Sequence, residues 1–206
     1  IIAISWFWLF GLVYLAEFPV YTKNILHGNE TVITVLLGIF TVGIGIGSLL
    51  CEKLSGHKLN MNLVLAGSIG LSAFTFDFGL GSANIVNSGI LNADNLTITE
   101  LIKQVEVIRV LFDLGMVGLF GGFYCVPLYT LMQEKSDESC RARMIACNNI
   151  MNSIFMVVGS LMITMLMSKF GIKLENIFII FATMNLLFGL AIILKVPELR
   201  TKFRLK

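Results

Sequence analysis

The stretch Thr31-Val-Ile-Thr-Val-Leu-Leu-Gly-Ile-Phe-Thr-Val-Gly-Ile-Gly-Ile-Gly-Ser-Leu-Leu-Cys51 contains no charged side chain. A bilayer hydrocarbon core about 30 Å thick is crossed by roughly 20 such residues in a helix. Lipid offers no partner for backbone N–H and C=O groups, so an apolar run of this length must satisfy them internally, as a helix. Five more runs share its character, giving spans at Ile2–Thr22, Thr31–Cys51, Met61–Leu80, Val105–Met132, Ile145–Ser168 and Asn176–Val196. The expected fold is therefore all-α and polytopic, with six transmembrane helices. Composition agrees: 56% of residues are hydrophobic and 14% charged, where globular chains carry about 45–50% and 25%.

The connections alternate in basic content. Ten Lys and Arg residues lie on one side, ending in the tail Lys195, Arg200, Lys202, Arg204 and Lys206; five lie on the other. The positive-inside rule assigns the richer side to the cytoplasm, with both chain ends there. Exposure of Lys58, Cys140 and Lys206 to the cytoplasm and of Asn92 to the outside follows. The tail Leu199–Lys206 reads as an anchor to anionic headgroups. The chain opens as Ile-Ile-Ala-Ile-Ser-Trp, with neither a basic start nor a cleavage site, and reads as a piece of a longer polypeptide. The polar segment Ser82–Gln104 reads as an external loop, with a short helix after Thr97 where Thr-Ile-Thr-Glu resembles a capping box.

Ionisable residues inside spans are costly and mark function or a structural pair. Glu106, Arg109 and Asp113 follow i, i+3, i+7 spacing and share one helix face. At ~1.5 Å per residue, Asp113 lies on the order of 12 Å inside the span. The stripe is either the polar wall of a solute pathway or an ion pair, Arg109 with Asp113, locking two helices. Below it Met116, Val117, Phe120 and Phe123 continue as an apolar surface suited to an acyl tail. Glu17 precedes Pro19 in the first span and is either a pathway acid or an interfacial carboxylate; Asp77, near the outer end of the third, reads as interfacial. An acid followed by a proline recurs in spans one and four (Glu17, Pro19; Asp113, Pro127), as two inverted triplets of helices would give, or by coincidence.

Gly43, Gly45 and Gly47 in the second span and Gly115, Gly118, Gly121 and Gly122 in the fourth lie within helices, so they read as close-packing positions rather than a nucleotide fingerprint. Asn148, Asn149 and Asn152 open the fifth span as interhelical glue. The four cysteines lack metal spacing and both histidines sit in loops, so no metal and no cofactor is expected. No catalytic constellation stands out, nucleic-acid binding has no support, and the chain is not expected to be an enzyme.

Six spans, cytoplasmic ends and the segment Gly47-Ser-Leu-Leu-Cys-Glu52-Lys53-Leu-Ser-Gly56-His-Lys58 resemble the C-terminal half of a major facilitator transporter, although the acid of that loop is Glu52 rather than Asp and stands one residue further from the glycine. The stretches Gly121-Gly-Phe-Tyr-Cys-Val-Pro127-Leu-Tyr-Thr-Leu-Met-Gln133-Glu134, Phe18-Pro19-Val-Tyr-Thr-Lys23-Asn and Leu54-Ser-Gly-His-Lys58 resemble bacterial lysophospholipid transporters, in particular the form fused to an acyltransferase and acyl-ligase. The resemblance implies inward movement of lysophospholipids across the bacterial inner membrane by alternating access. As partners it implies membrane lipids, a missing N-terminal six-helix half and a fused or separate acyltransferase. It implies spans one and four along the central cavity and three and six against lipid. Glu17, Glu106, Arg109, Asp113 and Phe120 are the expected pathway, and Glu52, Lys53, Gly56, Lys58, Gly121, Gly122 and Pro127 the conformational set. A proton-coupled solute or drug exporter of the same superfamily, with Asp113 or Glu17 carrying the proton, and a membrane anchor for a fused enzyme are the alternatives.

Overall fold

The computed structural model describes residues 1–56, 59–91 and 93–195. Expectations for Lys58, Asn92, Val196, Lys206 and the basic tail lie outside the described residues. Among the described residues seven helices follow one another: α1 (Ile2–Asn24), α2 (Glu30–Ser55), α3 (Met61–Ser88), α4 (Ile98–Leu101), α5 (Val105–Glu134), α6 (Arg141–Ser168) and α7 (Leu174–Lys195). All but α4 are long and apolar enough to cross a membrane. Most of these helices outrun the apolar runs that announce them. The largest difference is at α3, which continues two turns past Leu80, so the first part of Ser82–Gln104 is helix rather than loop. The polar residues of this stretch are accommodated within the helix: Ser82 and Ser88 satisfy their hydroxyls on carbonyls of the preceding turn, while burial of Ile85 anchors it.

Helix ends follow local chemistry. Asn29 and Asn60 cap α2 and α3, each side chain accepting from a backbone N–H two residues on at 3.1 Å. Gly56 and Gly89 close the same helices in the left-handed region, at φ 58° and 59°, where a side chain would clash with the backbone.

α5 is the middle of the bundle, packed between α2 and α3. Glycine makes this possible. Gly43 and Gly47 of α2 lie directly on the α5 backbone at Gly115, Gly118 and Leu119, and Gly118 and Gly122 return the contact against Phe40, Ile44 and Ser48. On the opposite flank, Gly67 of α3 meets the backbone of Phe120 and Tyr124. Gly43, Gly47, Gly118 and Gly122 thus serve close packing as expected, whereas a side chain on Gly45 would meet nothing and one on Gly115 only the Ile39 side chain.

α1 joins the remaining helices through aromatic side chains. Phe10, Tyr14, Phe18 and Tyr21 are buried along it. The Tyr14 ring meets Phe40 of α2, Phe78 of α3 and Phe178 of α7, with centroids 5.1–5.7 Å apart. Their hydroxyls are satisfied on α3: Tyr14 donates to Thr75 at 2.8 Å, and Tyr21 pairs with Ser82 at 2.8 Å.

α7 reads as almost purely apolar in sequence, yet its one buried amide organises three helices. Asn185 accepts from the Trp6 indole at 2.9 Å and donates to the Ser68 carbonyl and the Ser72 hydroxyl at 3.0 and 2.9 Å. Asn185→Leu leaves a buried indole N–H without a partner, which costs about 1–3 kcal/mol; a lowered melting temperature of purified protein checks it, and an unchanged one would show the amide to be dispensable. Both α3 and α7 also present outward apolar side chains, Ile69, Phe76 and Leu80 on the one, Leu186, Leu187 and Leu190 on the other. Along its length, however, α3 is as buried as α1 and α5, and α2 and α6 are more exposed than either α3 or α7. α6 packs chiefly on α1 and is the most exposed of the long helices.

At the end of the bundle that carries the α1–α2 turn, two connections are stitched together. Asn29 N–H donates to the Leu96 carbonyl and Leu96 N–H to the His27 carbonyl, at 3.0 and 2.9 Å, and His27 Nδ1 lies 3.0 Å from Asp94. Leu26 and Leu101 are completely buried beneath. The Thr97 capping box forms as expected, and the Thr97 backbone N–H holds the Glu100 carboxyl below the usual carboxylate range.

Candidate transport pathway

The charged stripe of α5 is partnered differently from the expectation. Arg109 does not pair with Asp113 along its own helix; it crosses to α3 and grips Asp77 with two hydrogen bonds, one from Nε at 3.0 Å and a shorter one from Nη2. The planar guanidinium fits a carboxylate two-pronged, and the packing of α3 on α5 brings Asp77 within its reach. Asp77 is thus the partner of Arg109, with its side chain 37% exposed. Asp113 comes up beside the same Asp77 carboxylate. It is 2% exposed, and its Oδ2 finds no hydrogen-bond partner among the described residues. Glu106 is exposed at the start of the helix. The stripe thus divides into an exposed acid, an interhelical ion pair and a buried acid.

The acyl-tail surface expected below that stripe is filled by protein. Phe120 stacks on Phe74 with centroids 5.5 Å apart and meets Phe123 edge-on. A side chain on Gly70 would overlap its ring. Val117 is buried. Phe120 is a spacer between α3 and α5, and the reason is that α3 lies against this face of α5.

Open space lies elsewhere, between α1, α2 and α5. A cavity of about 380 Å³ is lined by Phe7, Trp8, Gly11 and Leu15 of α1, by Phe40, Ile44 and Ser48 of α2, and by Cys125, Val126, Tyr129, Thr130 and Gln133 of α5. Its size falls in the range of small-molecule sites, ~300–1,000 Å³. Gly11 leaves one wall open, since a side chain there would meet nothing. Across the cavity the Trp8 indole donates to the Tyr129 hydroxyl at 2.9 Å.

Behind Trp8 stands a carboxamide cluster. With the Asn152 amide nitrogen directed at Ser5 Oγ (2.9 Å) and the Asn148 carbonyl (3.1 Å), its oxygen accepts from Asn148 Nδ2 (3.1 Å) and the Trp8 indole (3.2 Å). Asn152 joins α6 to α1 as expected, with Asn148 behind it on its own helix; Asn149 is exposed.

The remaining expected residues are dispersed. Glu17 is half-buried on α1, and α1 continues through Pro19 without interruption. Glu52 and Lys53 are exposed at the end of α2. Glu52 and the buried Pro127 line a second, smaller cavity of about 190 Å³ with Cys51 and Asn60. Gly121 faces Phe7, and Gly122 touches the α2 backbone. Trp8, Tyr129, Thr130 and Gln133 escaped the sequence reading because aromatic and polar residues near span ends ordinarily form the interfacial belt.

A family model described as "Sugar (and other) transporter" matches residues 11–204. No curated protein and no solved structure matches the chain. The match runs from within α1 past the end of α7 and takes in α2 to α7 whole and the later part of α1. The chain belongs to the sugar (and other) transporter family and is a six-helix, all-α half of a major facilitator membrane transporter.

Proposed function

We propose that this half-transporter serves the inward translocation of lysophospholipids across a bacterial inner membrane by alternating access, in a longer protein that supplies the other six helices and, in the fused form, an acyltransferase. The observation that carries this reading is the character of the α1–α2–α5 cavity. Most of its lining side chains are apolar, and no carboxylate or cation is among them. A sugar presents hydroxyls over its whole surface, more than Tyr129, Gln133 and the other polar groups gathered at one end of this lining can meet, and those left unpartnered cost roughly 1–3 kcal/mol apiece. An acyl chain needs nothing else. The resemblance of Gly121–Glu134 and its companion stretches supports the same class, and the basic asymmetry supports a cytoplasmic C-terminus.

The test is direct. Full-length protein reconstituted in vesicles should move labelled lysophosphatidylethanolamine between leaflets, measured by back-extraction. A second reading, proton-coupled export of a solute, draws on the buried Oδ2 of Asp113, unpartnered among the described residues. Solute movement strictly dependent on a proton gradient, with no lysolipid movement, would replace the first reading by the second.

A further inference from the structure

Polarity in the α1–α2–α5 cavity is graded along its length. Toward the end where α1 begins and α2 and α5 finish, it is lined by Trp8, Ser48, Tyr129, Thr130 and Gln133; toward the middle of the bundle, by Gly11, Leu15, Phe40 and Ile44. The hydroxyls of Ser48 and Thr130 are already engaged, donating to the Ile44 and Val126 carbonyls of their own helices at 2.8 and 3.1 Å. Tyr129 differs from them. Its oxygen accepts from Trp8, which leaves its own proton to donate. The single indole N–H of Trp8 is forked, 2.9 Å from the Tyr129 oxygen and 3.2 Å from the Asn152 carboxamide oxygen, and Asn152 is itself held by Asn148 and Ser5. The forked N–H brings α6, α1 and α5 together at this point, beside a phenolic O–H at the mouth of an apolar pocket.

We infer that this cavity is a binding site for a single-chain amphiphile, with the chain along Ile44, Phe40, Gly11 and Leu15 and a head-group oxygen accepting from the Tyr129 hydroxyl. The inference rests on the lysophospholipid reading and adds to it the place and polarity of the site. The head lies at the end of the bundle bearing Trp8, not beside Arg109 and Asp113. At ~1.5 Å per residue, the sixteen residues of α5 between Asp113 and Tyr129 put those places on the order of 24 Å apart. Trp8 is a positioning residue: it holds the phenol through its indole N–H.

Cys125 lines the same cavity and is a free thiol, which gives a local readout. Full-length protein with its other cysteines replaced would be treated with a small apolar maleimide in the presence of lysophosphatidylethanolamine. Protection of Cys125 is expected, with the protecting concentration rising about fourfold for each methylene removed from the chain, the equivalent of about 0.8 kcal/mol per buried CH₂. Tyr129→Phe should raise that concentration about tenfold at every chain length, as loss of one hydrogen bond to a charged head implies. Trp8→Phe should have a smaller effect of the same kind, and it serves as the second variant should Tyr129→Phe fail to fold. Transport of lysolipid with Cys125 unprotected, or protection unaltered in both variants, would overturn the site while leaving the transport reading intact. Protection without any lysolipid movement would sustain the site and remove the transport reading.

Discussion

Arg109→Gln should destabilise the protein by roughly 2–3 kcal/mol, the scale of an uncompensated acid within a span, and a double change with Asp77→Asn should recover much of the loss. The single variant leaves Asp77 and Asp113 side by side with no cation between them. The partial exposure of the pair, 47% for the Arg109 side chain and 37% for Asp77, keeps the effect below the 3–5 kcal/mol typical of breaking a fully buried pair. Because Asp113 shares the Asp77 carboxylate, Asp113→Asn in the Arg109→Gln background should also restore stability. A double-mutant cycle on Asp77 and Arg109, read by thermal melting in detergent, checks the pairing. Additive losses would show that the two side chains act independently. In transport assays Asp113→Asn separates the two readings: an exporter that carries its proton there loses coupling, whereas a lysolipid pathway 24 Å away on the order-of-magnitude helix rise retains its activity.

A larger effect is expected from one methyl group. Gly47→Ala would set its Cβ into the Leu119 carbonyl oxygen, with the Leu119 backbone carbon close behind. Backbone cannot rotate out of the way as a side chain can. Overpacking costs typically 1–3 kcal/mol and occasionally more, and here α2 and α5 must separate along their whole glycine contact. The expected outcome is a sharp fall in the yield of monodisperse protein and a melting temperature lowered by several degrees. Gly45→Ala is the control: the same helix, the same change, and nothing within contact distance. Similar behaviour of the two variants would mean that helix propensity, not close packing, governs this segment.

Six spans were legible because lipid imposes one rule on every residue of a span, and uninterrupted apolar runs such as Thr31–Cys51 obey it visibly. The glycine packing was legible for a related reason, since small residues at helical spacing have few other uses in a membrane. Partner choice was not. Arg109 has an acid one turn away in sequence and another across a helix interface, and only the placement of α3 decides between them. Phe120 shows the same limit: an apolar face on α5 looks alike whether a lipid tail or Phe74 lies against it. The cavity was invisible because it depends on what three helices fail to fill, and Gly11 contributes to it by having no side chain.

The two backbone hydrogen bonds between residues 27–29 and Leu96 have a mechanical consequence. They tie the turn joining α1 to α2 to the segment leading into α5, over buried Leu26 and Leu101. The three helices around the cavity are therefore gathered at one end. At the other, α1 meets α5 through the Trp8–Tyr129 bond, a 3.3 Å hydrogen bond from Tyr124 to the Ala3 carbonyl, and the Phe7 ring against Tyr124 and Gly121. An assembly held by backbone at one end and by side chains at the other is expected to widen about the backbone-tied end. Amides of residues 27–29 and 96 should exchange slowly throughout a transport cycle, while those flanking Trp8 change their protection with each turnover.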